Sequence, residues 1–128
     1  MISRIQQSNY HNKTIGNISE EFVSKYIENN GYNVLQRNFV IRGGEIDIIC
    51  KKSNEIVFFE VKSLTKNSPI ILEQTITRRK CKTLIRTCQI WLKENHLENA
   101  QWRIDFIGVI IEGYDKIIQL KHIPNAIY

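Results

Sequence analysis

The sequence is poor in the residues that mark secreted, zinc-binding or membrane-spanning proteins. Three cysteines occur in 128 residues, at Cys50, Cys81 and Cys88, and none belongs to a motif with zinc-ligand spacing. An odd number of cysteines also argues against a disulfide framework. No apolar run approaches the ~20 residues of a transmembrane helix, and the first residues lack the apolar core of a secretory leader. We therefore expect a cytoplasmic protein that does not associate with membranes.

Proline is scarce as well, and there are no repeats or low-complexity tracts. The length and the hydrophobic content of 42% suit a single globular core, which we expect over residues 15–128 after a flexible arm over residues 1–14. Acidic residues are outnumbered, with 13 Asp and Glu against 18 Lys and Arg, a net charge of +5. This balance favours an anionic partner such as nucleic acid, although many other soluble proteins share it.

Hydrophobic periodicity predicts two helices and five strands. One helical repeat runs from a cap at Asn17 to a glycine stop at Gly31, and another covers about residues 73–95. Runs of β-branched and aromatic residues predict three strands between the helices and two after the second helix. Arg103 and Asp105 alternate with apolar residues in one of these strands, and we expect them to form a structural pair. The order α-β-β-β-α-β-β predicts an α/β domain whose single sheet is flanked by two helices.

The segment GGEIDIICKKSNEIVFFEVKS, residues 43–63, predicts a β-hairpin with a charged site at its open end. Its Ser-Asn dipeptide suits the tip of a two-residue turn, which fixes the register of the two strands. One face of this hairpin is wholly apolar and should look into the core. The other face places Asp47 opposite Glu60 and Glu45 opposite Lys62, at the end away from the turn.

Two carboxylates in this register need a counter-charge, because directly opposed side chains lie roughly 5 Å apart and Asp47 would repel Glu60. A Mg²⁺ or Mn²⁺ ion would remove the repulsion, since both ions prefer carboxylate and water oxygens. Lys62 would share the face of Glu60 and could orient an attacking water. Glu20, at the edge of the first helix's apolar stripe, could reach this site or serve as a helix cap. The alternative for the whole pattern is the solvated face of an ordinary hairpin.

The second predicted helix begins with a cluster of four cations, Arg78, Arg79, Lys80 and Lys82. Positive charge at a helix N-terminus opposes the helix dipole and costs stability unless an anion meets it. A nucleic-acid phosphate backbone would supply that anion. The alternative is a solvated basic face with no partner.

The acidic and basic residues together resemble a known motif. Asp47, followed after twelve residues by Glu60-Val61-Lys62, resembles the PD-(D/E)xK nuclease superfamily, notably its branch near archaeal Holliday-junction resolvases. Five blocks in order, GNISEEFVSKYIENNGYNVLQRNF, GEIDII, VFFEVKS, WRIDFIGV and HIPNAI, look like the YraN-type family of endonuclease-like bacterial proteins. The resemblance covers nearly the whole chain from Gly16 onward.

This resemblance implies a restriction-endonuclease-like fold with a mixed central sheet between helices. It also implies Mg²⁺- or Mn²⁺-dependent cleavage of phosphodiester bonds in nucleic acid, with structured or branched DNA as the expected substrate. Asp47 and Glu60 would bind the metal together with the backbone carbonyl of Val61. Lys62 would serve the attacking water, and Glu20 would complete the acidic cluster.

Resolvase-like enzymes act as pairs on twofold-symmetric junctions, so the resemblance also implies a homodimer. Lys80 falls where the superfamily often places a basic or amide residue. Two other functions remain open. One is a non-catalytic nucleic-acid-binding module that keeps the nuclease fold, and the other is an adaptor whose acidic face binds a protein. The sequence pattern does not separate DNA from RNA.

Overall fold

The computed structural model describes residues 18–127, which form a five-stranded sheet with a helix packed on each face. The predicted order α-β-β-β-α-β-β is confirmed. The first helix, α1, occupies residues 18–29. The other elements are β1 (Asn33–Ile41), β2 (Gly44–Lys52), β3 (Glu55–Thr65), α2 (Arg78–Glu94), β4 (Gln101–Glu112) and β5 (Lys116–Ile123). The predicted arm over residues 1–14 and the predicted cap at Asn17 lie outside the described residues.

The strands stand in chain order across a mixed sheet. β1, β2 and β3 pair antiparallel, β3 and β4 pair parallel, and β5 returns antiparallel to β4. Parallel neighbours need a long crossover, and α2 provides it by covering one face of the sheet between β3 and β4. The fold is therefore the mixed α/β arrangement expected of a restriction-endonuclease-like domain. Neither α1 nor α2, as far as the chain is described, is long and apolar enough to span a membrane.

The sheet is buried on both faces, whereas the sequence predicted a single core-facing side of the hairpin. In β3 the side chains of Ile56 and Phe58 pack toward α2, and those of Val57 and Phe59 pack toward α1. All four side chains are buried, and each contributes roughly 1.5–3 kcal/mol when removed from water. Burial on both sides explains the continuous apolar run in this strand.

The two helices confirm the predicted types but correct one boundary. Gly31, with φ of 83°, follows α1 and provides the expected glycine stop. The second helix begins later than predicted, because Leu72–Thr75 form a separate 3₁₀ helix and α2 starts at Arg78. Thr77 caps α2, and its Oγ1 accepts a hydrogen bond from the Lys80 N–H at 3.2 Å.

A buried polar network around Asp105 joins α1, β4 and β5. Asp105 is fully buried and accepts hydrogen bonds from Arg103 Nε at 3.0 Å and from the Asn125 N–H at 2.9 Å. His122 Nε2 lies 2.7 Å from the same carboxylate, while His122 Nδ1 contacts the hydroxyl of Tyr26 at 2.8 Å. Burial raises the pKa of Asp105, but the bonds from His122 and Arg103 outweigh burial and hold this pKa below its usual value. The predicted structural pairing of Arg103 with Asp105 is confirmed.

Candidate metal and nucleic-acid site

Asp47 lies at the point where β2 and β3 separate. The predicted register is confirmed near the turn, but the ladder ends at the Ile48–Phe59 pair. The expected ladder pair of Asp47 with Glu60 does not form. Instead, the backbone N–H of Val61 donates a hydrogen bond to Asp47 Oδ2 at 2.7 Å. A side-chain carboxylate thus takes the place of a backbone acceptor, which opens the hairpin at its charged end.

The environment of Asp47 opposes its ionisation. Burial first, and then repulsion from Glu60, raise the pKa of Asp47 to about 7. The hydrogen bond from Val61 and the positive charge of Lys80 act in the opposite direction but do not cancel these effects. Asp47 and Glu60 therefore form a like-charged pair without full compensation. A bound cation would supply the missing positive charge.

A cleft of about 150 Å³ opens beside Asp47 on the α1 side of the sheet. Glu20 of α1 lines the same cleft, so the structure brings the predicted helix glutamate to the predicted aspartate. The Oγ atoms of Ser19 and Ser63 are 2.7 Å apart and fix this part of α1 against β3. Asn38 of β1, which lines the same cleft, has φ of 52°, a conformation that asparagine tolerates better than most residues. We call this space the Asp47 cleft, lined by Ser19, Glu20, Arg37, Asn38, Asp47, Ile48, Val61 and Ser63.

Glu60 opens into a different cleft, on the α2 side of the sheet. Its Oε1 forms an ion pair with Lys80 Nζ at 2.9 Å, and both side chains are partly buried. This space has a volume of about 400 Å³ and lies between α2 and the ends of β1 and β2. We call it the Glu60 cleft, lined by Val40, Ile41, Gly44, Glu45, Glu60, Lys80, Thr83 and Leu84. The predicted acidic cluster is therefore divided between two clefts on opposite faces of the sheet, at the point where β2 and β3 part.

The donor set at this junction fits a magnesium-type ion better than a zinc-type ion. Within residues 18–127, no three His, Cys, Asp or Glu side chains are grouped so as to hold a metal. Mg²⁺ commonly binds one or two carboxylates and keeps several waters, so Asp47 and Glu60 are sufficient protein carboxylates. The raised pKa of Asp47 agrees with a site that lacks its counter-charge. Glu60 is already paired with Lys80, so a metal ion that binds Glu60 would have to share this carboxylate with Lys80 or displace Lys80 from it.

The remaining predicted cations are exposed. Lys62 is exposed on β3, and neither the predicted partner Glu45 nor any other carboxylate within residues 18–127 forms an ion pair with it. Arg78, Arg79 and Lys82 are likewise exposed and without an ion pair in the described part of the chain. These four charges are available to an external anion.

Two further exposed cations, Arg86 and Arg42, were not predicted from the sequence. Arg86, exposed on α2, follows Arg78 and Lys82 at four-residue spacing, so all three share one side of the helix. The Arg86 guanidinium donates a hydrogen bond to the backbone carbonyl of Arg42 at 3.3 Å, which brings the β1–β2 turn to this side of α2. The four-residue spacing was visible in the sequence and could have extended the predicted patch to Arg86. The position of Arg42 depends on the tertiary fold.

Comparison with known proteins gives a family but no activity. The model of an uncharacterised protein family, UPF0102, matches residues 19–109. A UPF0102 protein of Geobacter metallireducens is 35% identical over 116 residues, which cover 91% of this chain and 93% of the relative. A UPF0102 protein of Clostridium botulinum is 39% identical over 121 residues, with 91% and 96% covered. A third, of Carboxydothermus hydrogenoformans, is 34% identical over 115 residues, with 90% and 96% covered.

Proposed function

This chain belongs to the UPF0102 family, and we propose that it is a metal-dependent endonuclease that hydrolyses phosphodiester bonds in structured or branched DNA. The observation that carries the proposal is the pair of carboxylates at the opening of the β2–β3 hairpin. Burial and the charge of Glu60 raise the pKa of Asp47 to about 7, so the pair is short of positive charge. Lys80 pairs with Glu60, and the exposed cations Lys62, Arg78, Arg79 and Lys82 could meet a phosphate backbone.

Asp47 and Glu60 would hold a Mg²⁺ or Mn²⁺ ion, with the backbone carbonyl of Val61 as a further ligand. When bound, such an ion lowers the pKa of a coordinated water and offsets charge on phosphoryl oxygens. Lys62, two residues beyond Glu60 and exposed, would stabilise negative charge that develops on the phosphate. Glu20, in the Asp47 cleft, would accept a hydrogen bond from the attacking water and so orient it.

The basic start of α2 would place the substrate. Arg78, Arg79 and Lys82 would contact phosphates without reading sequence. Lys80 would hold Glu60 in place until a cation arrives, because their ion pair is already formed at 2.9 Å. On a twofold-symmetric junction, two copies of the chain would act together, which sedimentation of the DNA complex measures.

A second function has one observation in its favour. Since Glu60 is paired with Lys80 and no three-carboxylate group exists within residues 18–127, the fold could bind nucleic acid without cutting it. The intact set of Asp47, Glu60 and Lys62 favours the endonuclease over this binding module.

The experiment uses the purified full chain with labelled four-way junction, flap and plain duplex DNA, in Mg²⁺, in Mn²⁺ and in chelator. Asp47→Asn and Glu60→Gln are the test variants, and Glu28→Gln, an exposed carboxylate on α1, is the matched control. We expect cleavage by wild type and control only in the presence of metal, and loss of cleavage with retained DNA binding in both test variants. DNA binding without cleavage under every condition would instead support the binding module, and equal cleavage by Asp47→Asn would refute the assigned site.

A further inference from the structure

The Glu60 cleft has the composition of a site for a small flat molecule. Val40 and Ile41 of β1 and Leu84 of α2 supply apolar surface, and the Val40 side chain at the rim is 65% exposed. Its volume of about 400 Å³ falls within the range of pockets that bind small organic ligands. Glu60 and Lys80 provide an acceptor and donors within this apolar wall. Few polar groups in an apolar cleft fix the orientation of a ligand that has both a flat face and a polar edge.

Two exposed cations flank this cleft on its helix side. Arg79 and Arg86 lie four residues before and three residues after Thr83, which lines the cleft, so they share its side of α2, and seven helical residues advance about 10 Å along the axis. Each is exposed and has no ion pair within residues 18–127. The Arg86 guanidinium reaches the backbone carbonyl of Arg42 at 3.3 Å, in the β1–β2 turn beside Gly44 of the cleft. We call Arg79 and Arg86 the α2 basic row. Glu45 is an exposed carboxylate at the cleft and would disfavour a phosphate inside it.

We propose that the Glu60 cleft takes the base of one unpaired nucleotide of a DNA strand whose phosphates lie along the α2 basic row. The charges determine how the nucleotide is oriented. Its phosphates should contact the cations outside the cleft, and its uncharged base should pack against Val40, Ile41 and Leu84. The base must be unpaired, because a paired base is stacked on both faces and cannot enter a recess between a helix and a sheet. The inference rests on the nucleic-acid-binding part of the proposed function and gives it a substrate class, DNA with a single-stranded segment beside the cut.

The test measures base insertion separately from cleavage. A duplex with a single-stranded overhang carries one 2-aminopurine in the overhang, and its fluorescence and the anisotropy of a remote dye are titrated with protein in chelator. Thr83→Phe would fill the cleft from α2, and Val40→Ala would remove apolar surface at the rim. Leu35→Ala, an apolar side chain of β1 that is 43% exposed outside the cleft, is the matched control. Circular dichroism and thermal unfolding check that each variant is folded.

We expect Thr83→Phe to weaken binding of the overhang DNA by about tenfold or more, the size of effect when one base contact is lost, and to leave plain duplex binding unchanged. Val40→Ala should weaken it less, and Leu35→Ala should not change it. Wild-type affinity and fluorescence in both Thr83→Phe and Val40→Ala would overturn the inference. Asp47→Asn should keep the 2-aminopurine signal. If wild type shows that signal but never cuts DNA, the endonuclease fails and the cleft assignment stands. If wild type cuts DNA and Thr83→Phe binds the overhang normally, the endonuclease stands and the cleft assignment fails.

Discussion

Asp47→Asn should stabilise the protein, and the gain should depend on pH. The variant keeps an acceptor for the Val61 N–H and nearly the same volume, so it changes little besides the charge. The pKa of Asp47 is about 7 in the folded chain, whereas an Asp in an unfolded chain has a pKa of about 3.9. Between these values the folded chain holds a proton that the unfolded chain has lost. The free energy of unfolding of wild type therefore falls as pH rises from about 4 to about 7.

The size of the effect follows from this difference in pKa. Each pH unit between the folded and unfolded pKa is worth ~1.36 kcal/mol, so ionisation of Asp47 opposes folding by up to ~4 kcal/mol. Asp47→Asn has no titrating group at this position and does not lose this free energy. Urea unfolding of both proteins in chelator at pH 4.5, 6 and 8 measures the difference between their free energies of unfolding. The free-energy advantage of the variant should grow from under about 1 kcal/mol to its maximum near pH 8.

Two comparisons make this prediction specific. Glu28→Gln removes an exposed carboxylate from α1 and should give no such pH-dependent gain. Mn²⁺ at pH 8 should stabilise wild type by binding the folded state, while Asp47→Asn should gain much less. If the difference between Asp47→Asn and wild type is the same at all three pH values, Asp47 is not held against Glu60 as described and the argument for an uncompensated pair fails.

The other predictions concern packing, the polar network and DNA binding. Gly44→Ala should lower the free energy of unfolding by about 1–3 kcal/mol in urea titration, because a Cβ there would overlap Thr87 Oγ1. Asp105→Ala should lower the free energy of unfolding by about 1–3 kcal/mol for each buried donor that it leaves without an acceptor, chiefly His122 Nε2 and the Asn125 N–H, whereas Arg103 keeps its ion pair with Glu55. The stability that Asp105 confers should disappear as pH falls through its lowered folded-state pKa, which pH-dependent unfolding checks. Arg86→Gln should weaken binding of all DNA sequences alike and reduce the slope of log K against log salt by about 1 in anisotropy titrations.

The fold could be predicted from this sequence because its signals are local. The two-residue turn fixes the hairpin register, and that register is observed from the turn to the Ile48–Phe59 pair. Helix types and the glycine stop at Gly31 depend on spacing and on backbone conformation, which a single sequence contains. The start of α2 was misplaced because the apolar period continues through Leu72–Thr75, a segment that forms a 3₁₀ helix instead.

The site was predicted in its residues but not in its arrangement. A period of two places Asp47 and Glu60 on one face of a regular hairpin, yet the Asp47 carboxylate bonds the Val61 N–H and ends the ladder. No local sequence signal indicates that the Asp47 carboxylate, and not a backbone carbonyl, will accept the hydrogen bond from the Val61 N–H. The division into an Asp47 cleft and a Glu60 cleft follows from where α1 and α2 pack, which is tertiary information.

The protein's two buried carboxylate environments have opposite energetics, and the contrast bears on function. Asp105 is fully buried but accepts bonds from Arg103 and His122, so its charge is compensated and it ties the sheet to α1 through Tyr26. For Asp47, burial first and then the like charge of Glu60 raise the pKa to about 7, and the Val61 N–H and Lys80 do not offset these effects. An arrangement selected for stability alone would compensate the charge of Asp47 as it compensates the charge of Asp105. Uncompensated charge that the rest of the fold tolerates is expected at functional sites, which is why we propose the opening of the β2–β3 hairpin as the place where a divalent cation binds.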